Sequence, residues 1–247
     1  MEVEHIVQDA GSGAELEAWA VGQPRLKLYV EKDKGMYDAV NRGLKRATGE
    51  ILAYLNCDEQ YLPGTLAKVG NFLAAHPEVD VLFGDMILVN TQLRPISYRR
   101  TVLPTSHHIK FAHLNTATCA TFFRRRLLER GFYFDPQWKS IGDAVWVEKL
   151  LKAEVNMATI REPLAVFTQT GQNLGATAIS RSEAARWRRL QRGSVLSTAV
   201  VVIWHRLRKA FAGAYRLRRV EIAVFTPGSP GKRQQIVGSV GFTWASN

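Results

Sequence analysis

Apolar positions fall in short blocks along the first third of the chain, and the spacing inside each block predicts its structure. Val3 with His5-Ile6-Val7 predicts a strand ending at Gln8-Asp9. The Gly11-Ser12-Gly13 turn then opens a short helix over 14–20. Leu26-Lys27-Leu28-Tyr29-Val30 alternates like a strand. After Asp33-Lys34-Gly35, apolar residues at Met36, Ala39, Val40, Leu44 and Ala47 recur at helical spacing until Thr48-Gly49 stops the helix. Ile51 to Leu55 reads as a buried strand. Pro63-Gly64 opens a helix through Leu66, Val69, Phe72 and Leu73 that ends near Pro77. Val81-Leu82-Phe83 is a further strand, expected to stop at Gly84-Asp85.

Strand and helix alternate with short connections, which predicts an α/β fold with a mostly parallel sheet. Ligands of such sheets bind at the carboxyl ends of strands. Asp9, Asp58 and Asp85 each follow an apolar strand, so a cleft is expected along that edge. Further on, Met86 to Tyr98 suggests a hairpin around Asn90-Thr91. Phe122 to Arg130 looks like a helix entry, Ile141 to Leu151 a helix with Asp143 in its first turn, and Pro163 to Phe167 a late strand. Val220 to Phe225 and Ile236 to Phe242 are expected to pair as terminal strands.

Composition adds limits. With 46% hydrophobic and 22% charged residues in 247, the chain is globular. Two cysteines, Cys57 and Cys119, make no disulfide framework and read as reduced thiols. Met1 to His5 lacks the basic and apolar regions of a secretory signal, so a cytoplasmic protein is expected.

The net charge of +11 is concentrated. Residues 181–219 hold eleven Lys/Arg and a single acid, Glu183, for +10, which leaves +1 for the rest. That divides the chain into a domain at 1–180, a basic helical segment at 181–219 and a tail at 220–247. From Leu196, the positions Val200, Ile203, Leu207, Ala210, Ala214 and Leu217 follow a 3–4 spacing, while Arg208, Lys209, Arg216 and Arg219 take the other face. Two readings stay open: a helix at an anionic membrane surface, or one packed on the domain with a solvated basic face. No nucleic-acid motif accompanies the charge, so no nucleic-acid partner is expected. His107 and His108 are read as loop residues and His113 as a candidate acceptor contact.

The chemistry starts at Asn56-Cys57-Asp58-Glu59, two adjacent carboxylates where an apolar strand leaves the core. Carboxylates suit Mg²⁺ or Mn²⁺, which commonly bridge one or two side chains and a substrate's phosphates. The alternative is an acidic turn capping the next helix.

Several blocks together carry a resemblance: Glu4 to Asp9; Asp33-Lys34-Gly35-Met36-Tyr37-Asp38-Ala39-Val40-Asn41-Arg42-Gly43-Leu44; Ala47 to Ile51; Asn56 to Glu59; and Tyr61 to Gly64. In order and spacing they resemble the family 2 glycosyltransferases over roughly residues 4 to 170. The resemblance implies a Rossmann-like, A-type glycosyltransferase fold using a UDP- or dTDP-sugar with Mg²⁺ or Mn²⁺. It implies that Asp9 bonds the base, that Lys34 and Asp38 line the nucleotide side, and that Asn41 lies near the sugar–phosphate. Asp58 and Glu59 match the metal-binding motif, with Glu59 standing where the family usually has Asp.

Downstream, Thr121 to Arg125 resembles the acceptor-side segment, although Thr118 and Cys119 replace the His and Gln of many relatives. Gly142-Asp143-Ala144-Val145-Trp146 resembles the motif supplying the catalytic base, so Asp143 is assigned that role. By itself Asp143 also reads as a first-turn carboxylate offsetting the helix dipole. The implied reaction is an inverting transfer to a saccharide or lipid-linked acceptor in surface-polysaccharide assembly. The sequence starts at the family's second strand, so the sheet is expected to lack a central strand. An N-terminally incomplete active enzyme is expected; the alternative is an impaired relative that binds nucleotide or membrane without turnover.

Overall fold

The computed structural model describes residues 2–171, 173–191, 195–226 and 228–242. β1 (His5–Asp9), α1 (Ala14–Val21) and β2 (Leu26–Val30) form a βαβ unit, with His5 opposite Leu26 and Asp9 opposite Val30 in parallel. α2 (Met36–Arg46) packs beside it. Arg46 donates to Gln8 Oε1 at 2.6 Å and to Glu31 Oε1 at 2.7 Å, tying the helix end to β1 and to the residue just after β2.

The chain continues through β3 (Ile51–Leu52), β4 (Glu59–Tyr61), α3 (Thr65–Ala75), β5 (Val81–Val89), β6 (Pro95–Arg99) and α4 (Ser106–Phe111). Then come β7 (Thr121–Arg124), α5 (Arg126–Glu129), α6 (Gly142–Lys152), β8 (Met157–Thr168), α7 (Ala178–Leu190) and α8 (Val195–Phe211). β9 (Arg218–Thr226) and β10 (Ser229–Val240) close it.

The main sheet has six strands in the order β3-β7-β5-β8-β4, with β6 on β5. Among the described residues, β1 and β2 form a separate two-stranded sheet. The expectation of a mostly parallel sheet is corrected here. Among the described residues only β1–β2 and β5–β8 are parallel; β3–β7, β5–β7, β4–β8 and β5–β6 are antiparallel. β6 follows β5 through a turn at Asn90, far too short for a parallel crossover.

Period-2 alternation in the strands feeds two cores. Val81, Phe83 and Phe123 face Tyr37 and Leu44 of α2 and Trp146, Val147 and Leu150 of α6. Leu82, Phe122 and Leu164 face Val69 and Leu73 of α3. Adjacent phenylalanines thus serve opposite faces, which only a strand allows, so the helix entry expected at Phe122 is a strand followed by one helical turn. The terminal strands pair as expected, and Val220, Ile222, Val224 and Val240 pack on Ile87, Val89, Tyr98 and Val166.

Three further expectations change. The strand at Ile51 stops at Leu52, because Tyr54 turns its ring edge-on to Phe134 and the Asn56 N–H bonds Glu59. β5 runs on through Asp85, which is fully buried and accepts from Tyr98 Oη and the Thr101 N–H, both at 2.7 Å, with Arg100 at 3.0 Å. Asp85 therefore neutralises an internal arginine and does not edge a cleft. His107 and His108 lie on α4, capped by Thr105, and His108 is buried rather than in a loop.

Candidate active site

Two helix starts face each other. At the N-terminus of α2, Gly35 has φ 126°, a region that favours glycine, and the Asp33 carboxylate accepts its N–H at 2.8 Å. Asp38 then accepts the Lys34 N–H at 2.9 Å and pairs with Arg42 at 2.9 Å. At the N-terminus of α6, Gly142 lies against the Tyr37 ring: a Cβ there would come within 2.5 Å of Tyr37 Cε2. That close approach explains the glycine before Asp143.

Tyr37, buried and stacked on Phe134, sends its hydroxyl to this helix start. It accepts the Asp143 N–H at 3.0 Å and lies within donating distance of Ser140 O, 3.1 Å, and Asp143 Oδ1, 3.3 Å. Burial pushes the Asp143 carboxyl above the usual carboxylate range, against the pull of the Ala144 N–H and the Tyr37 hydroxyl. Asp143 lines a cavity of about 10 Å³ with Tyr54, Thr116, Thr118, Thr121 and Trp146. That is room for about one water molecule.

The loop before α6 is held from outside by Glu183 of α7. Its carboxylate accepts the backbone N–H groups of Lys139 at 2.7 Å, Ser140 at 2.9 Å and Ile141 at 3.2 Å. Lys139 in turn donates its ammonium to Lys34 O.

Asp58 and Glu59 diverge. Asp58 is exposed, and its carbonyl accepts from Thr168 Oγ1 at 2.8 Å, tying the loop to the end of β8. Glu59 is 6% exposed; Oε2 accepts the Asn56 N–H at 2.8 Å, while Oε1 is buried without a hydrogen-bond partner. Burial raises the Glu59 carboxyl first, and the charges of Asp58 and Asp143 raise it further. Asp143, far from the adjacent pair Asp58-Glu59 in sequence, thus lies close enough to Glu59 for its charge to be felt there.

No group of three or more His, Cys, Asp or Glu positioned for a metal occurs among the described residues. A divalent cation that keeps waters and donor phosphates needs only one or two carboxylates. An exposed Asp58 beside a buried, unpartnered Glu59 oxygen fits that demand.

The remaining expected site residues are engaged locally. Asp9 accepts the Gly11 and Ser12 N–H groups at 2.8 and 2.7 Å and the Ser12 hydroxyl, and these bonds, the hydroxyl first, hold its carboxyl below the usual range. Lys34 is exposed at the α2 start. Asn41 is buried, with Nδ2 donating to Phe134 O at 2.7 Å and Oδ1 accepting the Phe134 N–H at 3.1 Å. Both ends of that amide position the Phe134 ring under Tyr37. Tyr37, Gly142 and Glu183 were not singled out from sequence for the site. Glu183 did carry one signal, as the only acid in the basic segment.

The model of glycosyl transferase family 2 matches residues 1–132. The chain belongs to that family. A PGL/p-HBAD biosynthesis glycosyltransferase of Mycobacterium bovis is 41% identical over 71 residues, 28% of this chain and 28% of the relative. The amylovoran biosynthesis glycosyltransferase AmsE of Erwinia amylovora is 27% identical over 118 residues, 47% of this chain and 44% of the relative. The matched stretches thus span less than half the length of these relatives. Among solved structures, S. aureus TarS in complex with UDP-GlcNAc aligns with a TM-score of 0.55 at 19% identity, over 76% of this chain and 56% of that one. The mannosyltransferase PcManGT from Pyrobaculum calidifontis, in complex with GDP-Man and Mn²⁺, aligns with a TM-score of 0.53 at 20% identity, over 77% and 55%. These likenesses establish an A-type glycosyltransferase fold of the α/β class.

Proposed function

We propose that the protein transfers a sugar, with inversion, from a nucleotide-diphospho-sugar to a saccharide or lipid-linked acceptor in the assembly of a cell-surface polysaccharide or glycolipid. The reading rests on one observation above all: a half-buried carboxylate, Asp143, held by Tyr37 beside a small cavity and close enough to Glu59 for its charge to raise that carboxyl.

Asp143 takes the proton of the acceptor hydroxyl as that oxygen bonds the anomeric carbon. The carbon–oxygen bond to the donor phosphate breaks, and the nucleoside diphosphate leaves with its electron pair. Asp58 and Glu59 are assigned to hold Mg²⁺ or Mn²⁺. Bound there, the cation supplies charge neutralisation to the departing diphosphate. Lys34 and Asp38, at the α2 start beside Lys139, are assigned to the nucleotide side. Asp9 is assigned to a uracil or thymine base, which requires it to loosen its Ser12 bonds. The neighbours that hold UDP-GlcNAc and GDP-Man with Mn²⁺ support a nucleotide-sugar donor. We assign the acceptor to the cytoplasmic face of an anionic membrane.

A second reading, binding of nucleotide or membrane without turnover, draws on the internal engagement of Asp9 and Asn41. Transfer assays with UDP-, dTDP- and GDP-sugars decide between them, with the product anomer read by NMR. Asp143→Asn is expected to lower turnover by about 10² to 10⁴ while leaving nucleotide binding intact. Retained configuration, or an Asp143→Asn variant as active as wild type, contradicts the proposal.

A further inference from the structure

α8 is amphipathic with its polar side turned inward. His205 is 5% exposed and its ring stacks on His108 of α4, centroids 3.6 Å apart. Lys209 lies 4.1 Å over the Phe242 ring, and Arg208 donates to Leu103 O at 2.9 Å. The opposite side meets solvent with Val200, Ile203, Trp204, Leu207 and Phe211, which are 61%, 58%, 62%, 46% and 89% exposed. Their spacing of i, i+3, i+4, i+7 and i+11 puts them in one stripe along the helix. Leu217, 76% exposed, and Tyr215, 40% exposed, follow just beyond it. A helix of a globular domain ordinarily buries its apolar stripe, so an outward stripe of this length marks a binding surface.

We infer that this stripe docks on the surface of an anionic lipid bilayer, with α8 lying in the interfacial plane. The inference deepens the proposed membrane site of the acceptor and rests on that reading for its purpose, not for its geometry. Charge selects the occupant. No acid occurs between Glu183 and Glu221, and residues 181–219 carry +10. A second copy seated on the stripe would bring two such segments together, whereas anionic lipid headgroups attract them by about 1 kcal/mol per Lys or Arg near the surface. Arg206 is exposed beside the stripe, and Trp204 and Tyr215 are the residue types that favour the headgroup level. No described helix is long and apolar enough to cross a membrane, and α8 keeps one side on the domain, so it lies on the surface.

The mechanical link follows the chain of contacts inward. His108 shares α4 with Ser106, which donates to Glu148 of α6 at 2.9 Å, and α6 carries Asp143 in its first turn. The basic segment also contributes Glu183 to the loop before α6. A bilayer under α8 is therefore coupled through two contacts to the helix that presents the base.

Sedimentation of the full chain with vesicles of phosphatidylcholine alone, or mixed with phosphatidylglycerol, tests the inference. Wild type is expected to pellet with the mixed vesicles and to stay in solution with the neutral ones. The double variant I203D/L207D alters two exposed side chains, and its fold is checked by thermal melting. It is expected to partition on the order of a hundredfold more weakly. Phe211→Ser moves in the same direction by a smaller factor. Wild type left in the supernatant with both vesicles overturns the inference, as does I203D/L207D pelleting like wild type. A wild-type dimer that I203D/L207D converts to monomer, with no vesicle dependence, assigns the stripe to a second copy and also overturns it. Nucleotide binding, measured on the same samples by calorimetry, is expected to be equal in both proteins. Its failure in both strikes the enzymatic reading instead and leaves the vesicle result standing.

Discussion

The Tyr37 hydroxyl accepts the Asp143 backbone N–H at 3.0 Å and lies 3.3 Å from Asp143 Oδ1, joining residues 106 apart in sequence. One hydroxyl thereby fixes the start of α6 and lowers the carboxyl that burial raises. Tyr37→Phe keeps the ring but removes these bonds. It is expected to cost about 1 to 3 kcal/mol in chemical denaturation. As the proposed base, Asp143 would work only when ionised, so activity is expected to fall as pH drops through its raised pKa, and without the Tyr37 bond that limb is expected to move to higher pH. An unshifted acid limb in the Tyr37→Phe variant contradicts the coupling.

Gly142→Ala tests the same contact from the other side. The added methyl meets the Tyr37 ring at 2.5 Å, and that ring is wedged against Phe134. A destabilisation of about 1 to 3 kcal/mol is expected in a denaturant melt. Turnover is expected to fall further than the stability loss explains, because Asp143 is displaced with its helix start. Unchanged stability and rate contradict it.

Glu59 is raised by burial and by its acidic neighbours, so protons would compete there with the proposed cation. A cation selects the ionised form, so Mn²⁺ binding is expected to tighten as pH rises through the raised Glu59 pKa. Glu59→Gln is expected to weaken Mn²⁺ by at least about tenfold and to flatten that pH dependence. A Mn²⁺ titration followed by calorimetry at several pH values reads both. Equal pH slopes in the two proteins contradict the assignment.

The His108–His205 stack is neutral in the folded protein. Burial is the main cause; for His205 the charges of His108, Lys209, His113 and Arg208 add to it, and for His108 those of His113, Lys209 and Arg208. His108 is pushed down to about 4 and His205 to about 3, from an ordinary 6.5. As pH falls below 6.5 the unfolded chain gains protons that the folded stack refuses, so stability is lost progressively toward pH 4. Thermal melts from neutral to acid pH are expected to fall more steeply in wild type than in His205→Phe. Identical slopes contradict the neutral stack.

Much of this was legible in the sequence. β1, β2, α2, α3 and α6 follow from apolar spacing nearly to the residue, because local periodicity and glycine or proline stops determine them. The glycosyltransferase motif blocks pointed to Asp58, Glu59 and Asp143 as candidates; that the charge of Asp143 reaches Glu59 appears only once loop and helix fold together. The burial of Asp85 does not follow from sequence, because a strand's polar residue can end it or be enclosed by it; the partners Tyr98, Arg100 and Thr101 decide which. The sheet's mixed direction was hidden because β7 inserts between β3 and β5, a non-local pairing. The outward apolar side of α8 was equally hidden: periodicity shows that a helix has two faces, and only the His108–His205 contact shows which one is turned in.

Calorimetric titration of UDP, dTDP and GDP in the presence of Mn²⁺, comparing wild type with Asp58→Ala, tests the central claim most directly. The account predicts that wild type binds at least one of the three in a Mn²⁺-dependent manner, and that Asp58→Ala weakens this by at least about tenfold. Equal binding by the two proteins, or binding indifferent to Mn²⁺, would contradict a cation–diphosphate site at Asp58 and Glu59.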